Sequence, residues 1–152
     1  MIVRFVVPIE PFGKGRPRFT AANGRRLAYT PAKTRHGEAI IKKFASMAMM
    51  GRAPFPEGVP LRVRAKLFFG IPKSYTKKRR EACLVGKELP TKKPDCDNAI
   101  KACLDPMNGV VFHDDNQVVL LELQKYYSQD SGRIEIEVSP INSEQINGDD
   151  CS

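Results

Sequence analysis

No apolar stretch in these 152 residues approaches the roughly 18 needed to cross a bilayer, so no membrane span is expected. The opening residues, MIVRFVVPIEPFGK, have no basic region ahead of an apolar one and no small-residue cleavage site, so no secretory leader is expected either. The four cysteines, Cys83, Cys96, Cys103 and Cys151, form no C-x-x-C pair and no zinc-ligand spacing. That pattern fits reduced thiols in a cytosolic protein. There are no internal repeats and no low-complexity tract. The most informative shortage is of acidic charge in the first part of the chain. Residues 1–94 hold 22 Lys and Arg against five Asp and Glu, whereas residues 95–152 hold three against 12. One reading is a solvated basic surface with an acidic tail. The stronger one is that the basic part holds a polyanion on which the acidic part acts.

What is present suits one α+β domain. Hydrophobic residues make up 41% and charged residues 28%, and the length allows a single core. IVRFVVPI (2–9) reads as a first strand, and EPFGKGRPRFT (10–20) as a basic Gly/Pro loop. Thr30-Pro31 looks like an N-cap and N1 pair for a helix running to about residue 50, with Ile40, Phe44 and Met47 on one face. LRVRAKLFF (61–69) alternates apolar and basic residues, as a half-buried strand does. A basic helix carrying Lys77, Lys78, Arg79 and Arg80 is expected from about Ser74. NQVVLLELQKYY and GRIEIEVSP read as two strands joined as a hairpin through SQDSG. Residues 1–141 form the expected domain, and 142–152 a polar, unstructured tail.

The acidic charge is concentrated in PDCDNAIK (94–101) and HDDNQ (113–117). Ile100, Cys103, Leu104 and Met107 have the spacing of an apolar helix face. Asp97 or Asn98 is the natural N-cap, and Pro106 with Asn108-Gly109 ends the helix. Asp97 and Lys101 then share a polar face, while Asp95 precedes the helix in extended backbone. A capping aspartate with an i,i+4 ion pair, worth about 0.3–0.5 kcal/mol, explains only Asp97 and Lys101. It leaves Asp95, Asp114 and Asp115 without a reason.

If the two acidic segments meet, ionised carboxylates about 4 Å apart repel by about 4 kcal/mol at an effective dielectric of 20. A proton or a divalent cation must relieve that repulsion. All-oxygen donors with room for water suit Mg²⁺ or Mn²⁺, and His113 beside them reads as a surface residue. Such a metal in a basic protein suits phosphodiester hydrolysis, with Lys101 stabilising developing charge.

The run KPDCDNAIKACLDPMNGVVFHDDNQV resembles the RusA family of Holliday junction resolvases. It carries Asp-x-Asp-Asn, a lysine four residues beyond the second Asp, Asn-Gly, and Asp-Asp-x-Gln. GKGRPRFT and YTPAKTR also resemble segments of phage-type members. The resemblance implies a small α+β homodimer, cytoplasmic and encoded by a bacterium or phage, that cuts four-way DNA junctions with Mg²⁺. It matches Asp95, Asp97 and Asp115 to the essential carboxylates, Lys101 to the essential lysine and Asp114 to a neighbouring acid. Pro106 departs from the family pattern and is expected to shorten the helix. A C2 dimer suits the two-fold symmetry of a junction, and its interface is expected from the first 70 residues.

Lys14, Arg16 and Arg18 on the basic loop, and Lys92 and Lys93 just before Asp95, are the expected DNA contacts. Six neutralised phosphates would give a log–log salt slope of about −5. With few aromatic residues and no stacking platform, structure-selective recognition is expected over base readout. Three readings compete: a restriction-type nuclease, whose motif Glu122-Leu-Gln-Lys125 misses by one residue, a non-cleaving junction-binding protein, and a basic protein that binds RNA or an acidic partner.

Overall fold

The computed structural model describes residues 1–15, 18–22, 25–29 and 32–148, with backbone alone at 18–22 and 25–29. Thr30, Pro31, Arg16 and the expected helix cap therefore lie outside the described residues. A four-stranded mixed sheet has the order β1-β6-β4-β5, built from β1 (Val3–Val7), β4 (Leu61–Gly70), β5 (Val118–Ser128) and β6 (Arg133–Pro140). β6 runs antiparallel to both β1 and β4, and β5 runs parallel to β4. With its helices this makes the small single-domain α+β fold expected from the element pattern.

Register explains why one face is apolar. Val3, Phe5 and Val7 stand opposite Val138, Ile136 and Ile134, which in turn stand opposite Val63, Ala65 and Leu67. All nine are buried. Side chains alternate along a strand, so this pairing puts these nine on one side and the strand charges on the other. Against the apolar side pack α1 (Ala32–Met49) and α3 (Cys96–Leu104). No helix among the described residues is long and apolar enough to cross a membrane.

The buried stripe of α1 is Thr34, Gly37, Ile41, Ala45 and Met49. It is rotated from the expected Ile40, Phe44 and Met47 face, and Met47 is 60% exposed. Small residues decide the rotation. A Cβ on Gly37 would run into the ring of Phe12, so only glycine lets that ring reach the helix. Ile40 and Phe44 flank the seam, partly buried.

The expected hairpin between β5 and β6 is not formed, because β4 lies between them. The connection crosses the end of β4 at Gly70, whose missing Cβ would lie 3.9 Å from the Asp130 carbonyl. Glu10 accepts the Gly70 N–H there at 3.1 Å. A second, two-stranded sheet pairs β2 (Arg18–Ala22), which begins within the expected 10–20 loop, with β3 (Arg25–Tyr29), in a stretch given no element from sequence. The basic helix α2 (Lys77–Leu84) starts after Thr76, whose hydroxyl accepts from Arg79 N–H at 3.2 Å. Beyond Ile141, in the segment expected to be an unstructured tail, the chain forms the short helix α4 (Ser143–Gly148).

Candidate active site

The N-cap of α3 is Asp95, two residues before Asp97 and three before Asn98. Its backbone is extended (φ −65°, ψ 152°), and its side chain makes no capping hydrogen bond. Asp97 lies in the first helical turn, and both carboxylates are exposed, as is Lys101. No ion pair joins Asp97 to Lys101 among the described residues. The opposite face holds Ile100, Cys103 and Met107 in the core, as their spacing predicts. Pro106 stops the α-helix at Leu104 and continues it as a single tight turn, Asp105–Met107. Gly109 then takes φ +77°, which favours glycine, and reverses the chain towards the second acidic segment.

That segment is a short turn, Asp115–Gln117, held from inside by Gln117. The Gln117 side chain is buried and uses its whole hydrogen-bonding capacity. Its Oε1 accepts from the His113 and Asp114 N–H groups at 3.0 and 3.3 Å. Its Nε2 donates to the carbonyls of Pro56 and Val59 at 2.8 and 3.2 Å. The glutamine thus fixes the backbone that presents Asp114 and Asp115, while His113 remains exposed.

Burial, reinforced by the charges of Asp114 and Asp105, holds the Asp115 carboxyl above the usual aspartate range. Asp105 is a site residue that sequence reasoning missed. It follows Asp97 and Lys101 at four-residue intervals, so the periodicity that paired those two also pointed to it. Lys14 donates to the Asp105 carboxylate, and its Nζ lies 3.4 Å from Glu38. These partners raise the Lys14 pKa, the Asp105 hydrogen bond most, against an opposing effect of burial. The Lys14 loop rests on the start of α3. A Cβ on Gly13 would stand 2.6 Å from the Asn98 amide nitrogen and 2.8 Å from Pro94 Cβ, so the close approach requires glycine.

Among the expected DNA contacts, Lys92 and Lys93 are exposed beside Asp95. Lys92 Nζ lies 5.5 Å from the Phe69 ring centre. Arg18 stands at the start of β2. In the α2 run, Arg79 is tied to Glu88 at 2.9 Å and covers the Tyr75 ring at 3.6 Å.

The structure thus brings Asp114 and Asp115 under the influence of Asp105, and gathers Asp95, Asp97, Lys92 and Lys93 at the other end of α3. Among the described residues, no three His, Cys, Asp or Glu side chains form a group with metal-ligating spacing. The donor chemistry nonetheless fits a hard cation. Every candidate ligand is a carboxylate, and Asp115 stands where negative charge is disfavoured unless a positive charge joins it.

The fold thus combines a small mixed sheet with exposed carboxylates at the start of α3, a lysine in its last turn and a separate acidic turn. The family model for "Endodeoxyribonuclease RusA" matches residues 8–139. YqaN, an uncharacterized protein of Bacillus subtilis (strain 168), is 32% identical over 146 residues, covering 93% of this chain and 98% of that protein. The chain belongs to the RusA endodeoxyribonuclease family, which makes it a nuclease with DNA as its substrate.

Proposed function

We propose that this protein resolves four-way DNA junctions by paired, symmetric nicks, as a Mg²⁺-dependent homodimer acting in recombination and repair. The feature that carries the reading is the set of exposed Asp95, Asp97 and Lys101 along α3, together with a second acidic segment whose Asp115 carboxyl is held above the usual range by burial and neighbouring acids. Asp95, Asp97 and Asp115, with Asp114 beside them, are the residues that would hold Mg²⁺ or Mn²⁺. When bound, the ion supplies Lewis-acid polarisation of the scissile phosphate and a hydroxide-like nucleophile near neutral pH.

The chain's own residues do the remaining work. Lys101, exposed one turn after Asp97, stabilises negative charge that develops on the phosphate. Lys92 and Lys93 hold the backbone next to Asp95. The segment 11–37 supplies the grip, with seven Lys and Arg and no Asp or Glu, Arg16 and Arg18 among them. Lys14 belongs to the same segment, but its ammonium is engaged by Asp105 and Glu38, so we assign it as an internal counter-charge. Residues 1–141 are the endonuclease unit, working in the cytoplasm of a bacterial cell. A C2 dimer presents two such sites related by the symmetry of the junction.

One gel tests the reading. With Mg²⁺ the protein should nick a synthetic four-way junction symmetrically and leave linear duplex of the same sequence uncut. Binding without cutting in both Mg²⁺ and Mn²⁺ would leave a non-cleaving junction binder, and cutting of linear duplex at fixed sequences would leave a restriction-type nuclease.

A further inference from the structure

β5 joins the acidic turn to the segment that enters α3. It emerges from the acidic turn at Val118, and further along it carries Lys125. The Lys125 ammonium donates to the Lys92 carbonyl at 2.6 Å and to the Pro94 carbonyl at 3.1 Å. It lies 5.5 Å from the centre of the buried Phe69 ring, which favours a cation. The Asp95 carbonyl, next along the chain, accepts the Ala99 N–H at 2.9 Å and so begins α3. On another side, Gly13 rests against Pro94 and Asn98. The backbone entering Asp95 is therefore held at successive carbonyls, first by Lys125 and then by the helix.

We infer that Lys125 is a positioning residue that clasps the Lys92–Pro94 segment and thereby fixes Asp95 relative to the acidic turn on its own strand. An ammonium on a long stem suits the task, because it has several donors and reaches two carbonyls of one loop from a neighbouring strand. A surface lysine kept only for solubility would not need both bonds. The Glu122-Leu-Gln-Lys125 stretch failed as a restriction-type motif, yet its lysine still reaches the site, through the backbone of the loop instead of through substrate. The proposal rests on the reading above, in which Asp95 takes part in strand cutting.

Two variants of the full chain, Lys125→Met and Lys125→Arg, test it by amide hydrogen exchange, junction affinity and single-turnover cleavage at saturating protein. Lys125→Met keeps the stem and loses the donors. Exchange in residues 92–98 should then rise about tenfold, with the rest of the domain unchanged. Cleavage should slow roughly 10- to 100-fold while junction affinity moves less than about twofold. Lys125→Arg should recover part of both losses. Unchanged exchange at 92–98 overturns the clasp, and so does faster exchange spread evenly over the domain. A loss of affinity with an unchanged single-turnover rate also overturns it, by making Lys125 a phosphate contact. If the unmodified protein cuts no junction, the functional reading fails, while the exchange data still decide whether Lys125 holds the loop.

Discussion

The two charged regions of this molecule treat carboxylates in opposite ways. On the outer face of the sheet, acids and bases alternate across the strands. Arg4 meets Glu137 at 2.6 Å, Arg64 meets Glu122 at 2.5 Å, and Arg64 lies 3.9 Å from Glu137. The Arg4 hydrogen bond, with Arg64 and Arg62 nearby, pulls the Glu137 carboxyl below its ordinary range despite partial burial. In the acidic turn the neighbours are other acids, and Asp115 is pushed up. Paired charges on the sheet satisfy the fold and ask nothing of a ligand. Gathered like charges leave the folded chain with an electrostatic deficit that a cation can fill. That contrast makes the second region the candidate working one.

The largest expected effect comes from removing charge on α3, the helix proposed to share the ion with that turn. Asp97→Asn should reduce junction cleavage by about 100-fold or more, with junction binding retained, because the carboxylate makes no attractive contact with phosphate. Gel-shift and cleavage measurements on one preparation check both halves. Lys101→Ala should cost roughly 10- to 100-fold in rate, and an unchanged rate would reduce Lys101 to a solvated helix residue.

Next come effects on stability that separate the regions. Gln117→Ala leaves the His113 and Asp114 N–H groups and two carbonyls without their partner, at a cost of about 1–3 kcal/mol in denaturant unfolding. Asp115→Asn should do the reverse in chelator, raising the thermal midpoint by about 1–4 °C while abolishing cleavage, since it removes a disfavoured charge. A fall in the midpoint would mean that Asp115 is stabilising, and the contrast between the regions would be lost.

The smallest effect belongs to the sheet. Glu137→Gln should cost about 1 kcal/mol or less, because its partner Arg4 is largely exposed. Since the folded Glu137 pKa is lowered, its contribution is present above the unfolded glutamate value, near 4.3. It is lost as pH falls through the lower folded value. Acid titration of the two proteins should therefore converge at low pH and separate above it.

Much of the candidate site was read from local pattern. Asp95, Asp97 and Lys101 were singled out because a helix start and a four-residue interval are properties of adjacent sequence. The apolar faces of α3 and of β4 follow from the same kind of rule. What escaped was set by packing partners distant in the chain. β5 and β6 read as a hairpin because their spacing suits one, yet β4 enters between them. Lys125 looked like a failed motif until the sheet placed it under the Lys92 and Pro94 carbonyls. Asp105 was visible in the periodicity but gained meaning only when the Asp115 turn came under its charge. The β2–β3 ribbon was missed although the sequence between Ala22 and Arg25 is Asn-Gly, a dipeptide favoured in two-residue hairpins.

By itself the sequence determined the α+β class, the apolar faces of α3 and β4, the charge division at residue 94 and the identity of the acidic motif, because each depends on residue type and short-range spacing. Only the tertiary structure decided the strand order, the buried face of α1, the partners of Lys14 and Lys125, and the pressure on Asp115. Those depend on which distant segments share space, and that is a property of the packed chain.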